Sequence, residues 1–217
     1  MRDFLSTKTN QGGHMNRIGK VLMVVSMLFF LAPNILHAAV TTGEAAPDFT
    51  LTDTNGQSHS LSQFKEKCVV LEWFNHDCPF VKKHYDSGNM QALQKEYTGK
   101  DVVWLAINSS AAGKEGYYNA EQTNQMTKDK AAAPTAVLLD ADGKVGQLYG
   151  AQTTPHMYII NPEGILIYQG AIDDKKSADS ADIATSKNYV KSALDAAMAG
   201  QPVGDSTTKS YGCSVKY

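Results

Sequence analysis

The chain has 217 residues, with 20 Lys and Arg against 22 Asp and Glu, and 42 % of its residues are hydrophobic. So even a balance excludes a basic surface for nucleic acid and a polybasic patch for membranes. The length is ample for one hydrophobic core and short for two ordinary domains.

In chain order the first feature is a leader. A polar stretch precedes Asn16-Arg17-Ile18-Gly19-Lys20, an apolar run from Val21 to Leu31, and Leu36-His37-Ala38-Ala39. A positive flank, a short apolar core and a small-residue cleavage site describe a secretory signal peptide over residues 1–39. The apolar run is too short to cross a bilayer comfortably, so no stable span is expected after cleavage. Met15 is read as the initiator, with residues 1–14 an over-called extension. An uncleaved anchor is the alternative, because Leu36 and His37 are imperfect at the cleavage flank. Removal of residues 1–39 takes away Arg2, Lys8, Arg17, Lys20 and Asp3, leaving 16 basic and 21 acidic residues, a net −5. The expectation is an exported, periplasmic protein.

The body of the chain alternates strand and helix. Val69 to Phe74 is apolar except for Glu72 and reads as a buried central strand. A helix starting at Pro79 carries Phe80, Val81, Tyr85, Met90, Leu93 and Tyr97 on its apolar face. Asp101 to Ile107 is a second buried strand, and Gly113 to Lys130 a polar, glutamine-rich exposed helix. Pro134 to Asp140 is a strand ended by the turn signal Ala141-Asp142-Gly143-Lys144. A short helix over Val145 to Tyr149 leads to a strand from His156 to Ile160. Asn161-Pro162-Glu163-Gly164 closes a hairpin onto Ile165 to Gln169. Ser186 to Ala199 is the last helix, with Tyr189, Val190, Ala193, Leu194 and Ala197 at helical spacing. Residues 201–217 are rich in Gly, Ser and Thr and read as a flexible tail carrying Cys213.

Cys78 stands out. Proline is pre-set for the first helical position, so Cys78 falls at the N-terminus of the helix that Pro79 begins. There the helix dipole and unpaired backbone N–H groups favour thiolate over thiol. A strand-to-helix switch is also where open sheets place their sites. The alternative is a small buried cysteine that only packs.

Three segments together resemble the thioredoxin superfamily, and within it the redoxin branch of the alkyl hydroperoxide reductase/thiol-specific antioxidant type, over about residues 43 to 200. The first is Ala46-Pro47-Asp48-Phe49-Thr50-Leu51 with Asn55-Gly56 and Leu61-Ser62-Gln63-Phe64, similar to the branch's entry hairpin and short helix. The second is the strand, loop, Cys-Pro and helix around Cys78. The third is Thr153-Thr154-Pro155-His156-Met157-Tyr158-Ile159-Ile160, similar to the family's cis-proline strand. The resemblance implies an α/β, thioredoxin-like three-layer sandwich with a central mixed sheet flanked by helices. It divides the chain into a signal peptide (1–39), a redoxin domain (40–200) and the tail (201–217).

Glu72 occupies the position at which thioredoxins carry a buried acid beneath the catalytic thiol. A carboxyl group in an apolar sheet has its pKa raised and can exchange a proton with chemistry above it; the alternative is an edge residue reaching solvent. A thioredoxin places its second cysteine three residues after the first, where this chain has Val81. Cys68 sits at the far end of the strand that delivers Cys78, well beyond the ~7 Å reach of a disulfide. Cys213 could fold back to resolve Cys78 in an oxidising compartment, or it could be a free or intermolecularly paired thiol.

A peroxiredoxin places a proline, a threonine and an arginine around its peroxidatic cysteine; the corresponding positions here are Leu71, Asn75 and Pro155. Thr154-Pro155 instead matches the thioredoxin loop that pairs with an extended substrate peptide. His76, His84 and His156 flank the same region as acid/base partners or soft-metal ligands. Copper chaperones of this fold use a second cysteine where this chain has Lys82, so no metal or cofactor is assigned. Lys82 and Lys83 read as solvent-facing helix charges.

The sequence thus points to an exported thiol oxidoreductase acting through a single active-site cysteine. Cys78, Glu72 and Cys213 are the catalytic candidates, and Asn75, His76, Pro79, Thr154, Pro155 and His156 the substrate-binding ones. The expected partner is a thiol or disulfide protein or a small thiol reductant. Thiol peroxidase activity on a peroxide is one alternative, and a copper-binding or thiol-docking module without turnover is another.

Overall fold

The computed structural model describes residues 40–217, and Thr9 alone before them. The charged flank, apolar run and cleavage site of the expected leader, with Met15, lie outside the described residues. Among the described residues no helix is long and apolar enough to cross a membrane.

A seven-stranded sheet forms the centre. β1 (Thr50–Asp53) and β2 (Ser58–Ser60) make an antiparallel hairpin at one edge. β3 (Val69–Trp73), β4 (Val103–Asn108) and β5 (Ala136–Leu139) run parallel in the middle. β7 (His156–Ile160) lies antiparallel to β3 and pairs with β8 (Leu166–Gly170) at the other edge. The spatial order is β2-β1-β5-β4-β3-β7-β8. Parallel strands need crossovers, and α1 (Pro79–Asp86), α2 (Asn89–Thr98) and α3 (Ala120–Asp129) supply them.

Every residue of β3, β4 and β7 is buried. Their near-continuous apolar sequence follows from being covered on both faces. Alternation sorts the side chains into two layers. Val70, Phe74, Trp104, Met157 and Ile159 face Val81, Tyr85, Leu93 and the Leu194 face of α5 (Tyr189–Met198). Leu71, Trp73, Leu105, Leu138 and Tyr158 face Phe49 and Tyr149, the latter ending α4 (Lys144–Tyr149). This is the three-layer, mixed-sheet thioredoxin-like architecture that the sequence implied.

Three expectations change in detail. The helix read from Pro79 through Tyr97 is two helices, because Ser87 Oγ turns back onto the Lys83 carbonyl (2.7 Å) and Gly88 takes φ +78°. That left-handed conformation ends α1 and starts α2, and glycine adopts it without a Cβ penalty. The glutamine-rich helix begins only at Ala120, where Asn119 and Gln122 form a reciprocal capping box. The residues after 200, expected as a mobile tail, pack along the domain. Thr208 N–H donates to Gln169 O (3.0 Å) beside β8, Val215 N–H to Gln152 O (3.0 Å), and Tyr217 Oη to Ala151 O (2.7 Å). Their partners are distant in sequence, so no local periodicity reveals them.

Candidate active site

The site lies where β3 gives way to α1. Asn75 Oδ1 accepts the Asp77 N–H (2.8 Å) and its amide donates to Glu115 O (3.3 Å), folding the loop into an Asx turn. Asn75 therefore builds the loop, and Gly116 lies so close that a Cβ there would sit 2.2 Å from its amide. The Cys78 N–H closes the turn onto Asn75 O (3.1 Å), and Pro79 opens α1. Cys78 is thereby the N-cap residue, fully buried, with its carbonyl accepting the Val81 N–H (3.0 Å).

The opposite wall is the Thr154–Pro155 peptide, which is cis. The Cys78 thiol donates to Thr154 O (3.0 Å). The Thr154 hydroxyl is buried and otherwise unpartnered, a donor free for the thiolate. β6 (Thr153–Thr154) does not stand open. It pairs antiparallel with β9 (Cys213–Ser214), with Cys213 directly opposite Thr154. This pairing brings the Cys213 thiol and backbone N–H up to Cys78, where they favour its thiolate. Gly212, at φ +137°, makes this approach possible: a Cβ there would lie 2.0 Å from Thr154 O. All three cysteines are free thiols.

These contacts divide the two thiols electrostatically. Burial opposes ionisation of Cys78, but hydrogen bonds from Cys213, Thr154 and Val81 outweigh it and hold the thiol below its ordinary value. Cys213 moves the other way, pushed up to about 12 by burial and by the adjoining Cys78. Cys68, immediately before β3 and at its far end from Cys78, is pushed up to about 11 by burial.

Glu72 is completely buried on the Cys78 side of the sheet, so the solvent-edge alternative is excluded. Tyr85 Oη donates to Oε1 (2.9 Å), while Trp104 Nε1 (2.8 Å) and Gln94 Nε2 (3.2 Å) donate to Oε2. Burial raises its pKa to about 7 against the pull of those donors. His76 lies between this network and the thiol loop, its ring edge-on to Phe74 (4.9 Å) and Tyr85 (5.2 Å). Both of its ring nitrogens are buried without partners, and burial pushes its pKa down to about 4.

Two other histidines stand apart from the thiol. His156 pairs with Trp73 across the sheet, so alternation turns it to the face away from Cys78. Its Nδ1 accepts from Gln152 N–H (3.3 Å) and neighbours Tyr158 Oη (3.2 Å). His84 accepts from Asn89 through Nδ1 (2.9 Å). Among the described residues no cluster of three or more His, Cys, Asp or Glu side chains is placed to hold a metal.

Lys82 is exposed as expected, whereas the reading of Lys83 is corrected. It is buried, and its ammonium donates to Asp173 Oδ2 (3.1 Å) and Lys175 O (2.9 Å). The helix turn that exposes position 82 carries position 83 inward, and the distant Asp173 carboxylate with the Lys175 carbonyl makes that burial tolerable. Asp173 also accepts from Tyr211 Oη. Neither this set nor Tyr85, Gln94 and Trp104 around Glu72 could be read from sequence, because the partners lie far apart along the chain.

Comparison with known proteins agrees with this geometry. The chain is 27 % identical over 154 residues to the thiol-disulfide oxidoreductase ResA of Bacillus subtilis, covering 70 % of this chain and 80 % of that protein. It is 26 % identical over 159 residues to a chloroplastic peroxiredoxin Q of Sedum lineare, covering 69 % and 80 %. Among solved structures, a hypothetical protein from Sinorhizobium meliloti superposes with a TM-score of 0.70 at 28 % identity, covering 83 % of this chain and 96 % of that one. An uncharacterized conserved protein from Geobacillus kaustophilus gives 0.69 at 28 %, covering 82 % and 92 %. The AhpC/TSA family matches residues 42–169, and the chain, with its Cys-Pro helix start and its thioredoxin-like sheet, belongs to that family.

Proposed function

We propose that this protein is an exported thiol-dependent oxidoreductase whose redox couple is Cys78 and Cys213. The observation that carries the reading is the antiparallel pairing of Cys213 with Thr154, which sets the second thiol against the first. In disulfide exchange the Cys78 thiolate attacks one sulfur of a partner disulfide. The partner's S–S bond breaks, a mixed disulfide forms, and the departing thiolate takes up a proton. Consuming the Cys78 charge removes one of the causes that hold Cys213 protonated. Cys213 then loses its proton and attacks the Cys78 sulfur, releasing the partner's second thiolate. The partner gains two electrons and two protons, and the protein is left with a Cys78–Cys213 disulfide for an external thiol to reduce.

Glu72 is the proton store beneath the couple, with a pKa suited to exchange near neutrality. His76 and Pro79 shape the loop, Thr154 and cis-Pro155 shape the docking wall, and His156, turned to the other face of the sheet, lies outside it. The relation to a peroxiredoxin supports a second reading in which a peroxide oxidises Cys78 to a sulfenic acid, which Cys213 condenses to the same disulfide with loss of water. Against it stands the composition: residues 40–217 contain no arginine to orient a peroxide.

The test is peptide mapping of reduced protein treated with stoichiometric oxidised glutathione or hydrogen peroxide. A monomeric Cys78–Cys213 disulfide is expected, formed faster with the glutathione disulfide. Cys213 remaining unmodified while Cys78 cycles would overturn the couple, and faster oxidation by peroxide would select the second reading.

A further inference from the structure

The β6–β9 ladder has two residue pairs, Thr153 with Ser214 and Thr154 with Cys213. A ladder so short specifies its register weakly, and a one-residue slip would turn Cys213 away from Cys78. Something beside the ladder must fix the register, and Tyr211 is built to do so. It is buried, its ring packs edge-on to Phe80 of α1 (5.8 Å), and its hydroxyl donates to Asp173. Asp173 is held in turn by Lys83, whose ammonium lies 5.7 Å from the Tyr211 ring centre. Lys83 and Phe80 belong to the same helix that Cys78 caps, so the anchor and the thiol share one rigid element. Between anchor and thiol, Gly212 is the residue type that can approach Thr154 O so closely.

Resting on the thiol reading of Cys78, we propose that Phe80, Lys83 and Asp173 form a specificity subsite for a tyrosine two residues before a cysteine. The docking edge then selects an extended Tyr-Gly-Cys segment, and the chain's own C-terminal strand is its resident occupant. Burying a phenol against a charged pair discriminates strongly, because a side chain without the hydroxyl leaves Asp173 short of a donor. A peptide partner bearing the same pattern competes with the tail for the edge, adding a strand in its place.

The tail's seating is read by hydrogen exchange of the amides of residues 213–216 in the reduced full-length protein, a measurement independent of thiol reactivity. Tyr211→Phe keeps the ring and the fold but removes the hydroxyl, and a charge-assisted hydrogen bond lost should speed that exchange about tenfold or more. Gly212→Ala should lift the strand outright. A fluorescent peptide with the sequence of residues 207–217, serine replacing the cysteine, should then bind the Gly212→Ala protein and not the parent. The same peptide with alanine at the Tyr211 position should bind at least about tenfold more weakly. Exchange unchanged by Tyr211→Phe, or equal binding of the two peptides, overturns the subsite. Cys78 alkylation against pH in the same samples reports separately on the thiol reading: failure of the thiol reading appears there alone, and failure of the subsite only in exchange and binding.

Discussion

Cys78 and Glu72 titrate in opposite senses for the same reason, burial weighed against donors. The donors of Cys213 and Thr154 beside Cys78 outweigh its burial and tip it toward thiolate. Alkylation of Cys78 in the parent protein should therefore show its inflection below the ~8.5 of a free thiol, and higher in Gly212→Ala, where the Cys213 donors are lifted away; a parent inflection at or above that value would mark a merely packed cysteine. At Glu72 three donors serve the carboxylate, yet complete burial leaves its pKa near 7, above the ordinary 4.5. An acid whose folded pKa is raised binds its proton more tightly in the folded state. Its contribution to stability is whole below pH 4.5 and lost as the pH rises to about 7. Glu72→Gln keeps the shape, and the Tyr85 hydroxyl can turn to accept from the amide. The stability of the variant relative to the parent should therefore improve between pH 4.5 and 7, by up to about 3 kcal/mol, in urea unfolding at the two ends. A difference that does not change with pH would remove Glu72 from the titrating groups.

At the scale of elements, α1 is fastened to the rest of the domain by a buried charge. Lys83, Asp173 and Tyr211 come from a helix, the loop after β8 and the C-terminal segment. Lys83→Met strands the Asp173 carboxylate in the interior and should cost about 3–5 kcal/mol, whereas Lys83→Met with Asp173→Asn removes both charges and should recover much of that loss. Equal cost in the two variants, measured by denaturant unfolding, would mean that Lys83 acts through packing alone. Such pairs also explain what could be read in advance. The strands around Val69, Val103 and His156 announce themselves because burial on both faces leaves a nearly continuous apolar run, broken in the first by Glu72. Cys78 announces itself through Pro79, a local signal. Lys83 looks like any helix lysine, since nothing near it in sequence reveals Asp173 ninety residues away. The break at Gly88 was hidden by apolar spacing that continues across it. The C-terminal strand was hidden because two residues of ladder leave no alternating pattern.

Across the whole molecule, the proposed couple joins positions 78 and 213 and would close everything from α1 to β9 into one covalent loop, leaving β1 to β3 outside it. In the chain-entropy account, closing a loop of this length restricts the unfolded ensemble by about 5 kcal/mol. Two features of the folded state bear on how much of that survives. The strand carrying Cys213 is already seated opposite Thr154, so oxidation asks for little rearrangement. Against this, the hydrogen bonds that stabilise the Cys78 thiolate exist only in the reduced form, and they oppose oxidation by the amount they lower its pKa. Each unit by which the thiol is lowered takes about 1.4 kcal/mol from the loop value. The oxidised protein should accordingly unfold at higher denaturant than the reduced protein at pH 7, by less than the full loop value. Raising the pH through the Cys78 titration should narrow the gap, because the folded thiol loses its proton before the unfolded one does and the reduced protein gains stability. A reduced form more stable than the oxidised one would mean that thiolate stabilisation dominates, and would make the protein a donor of disulfides to its partners instead of an acceptor.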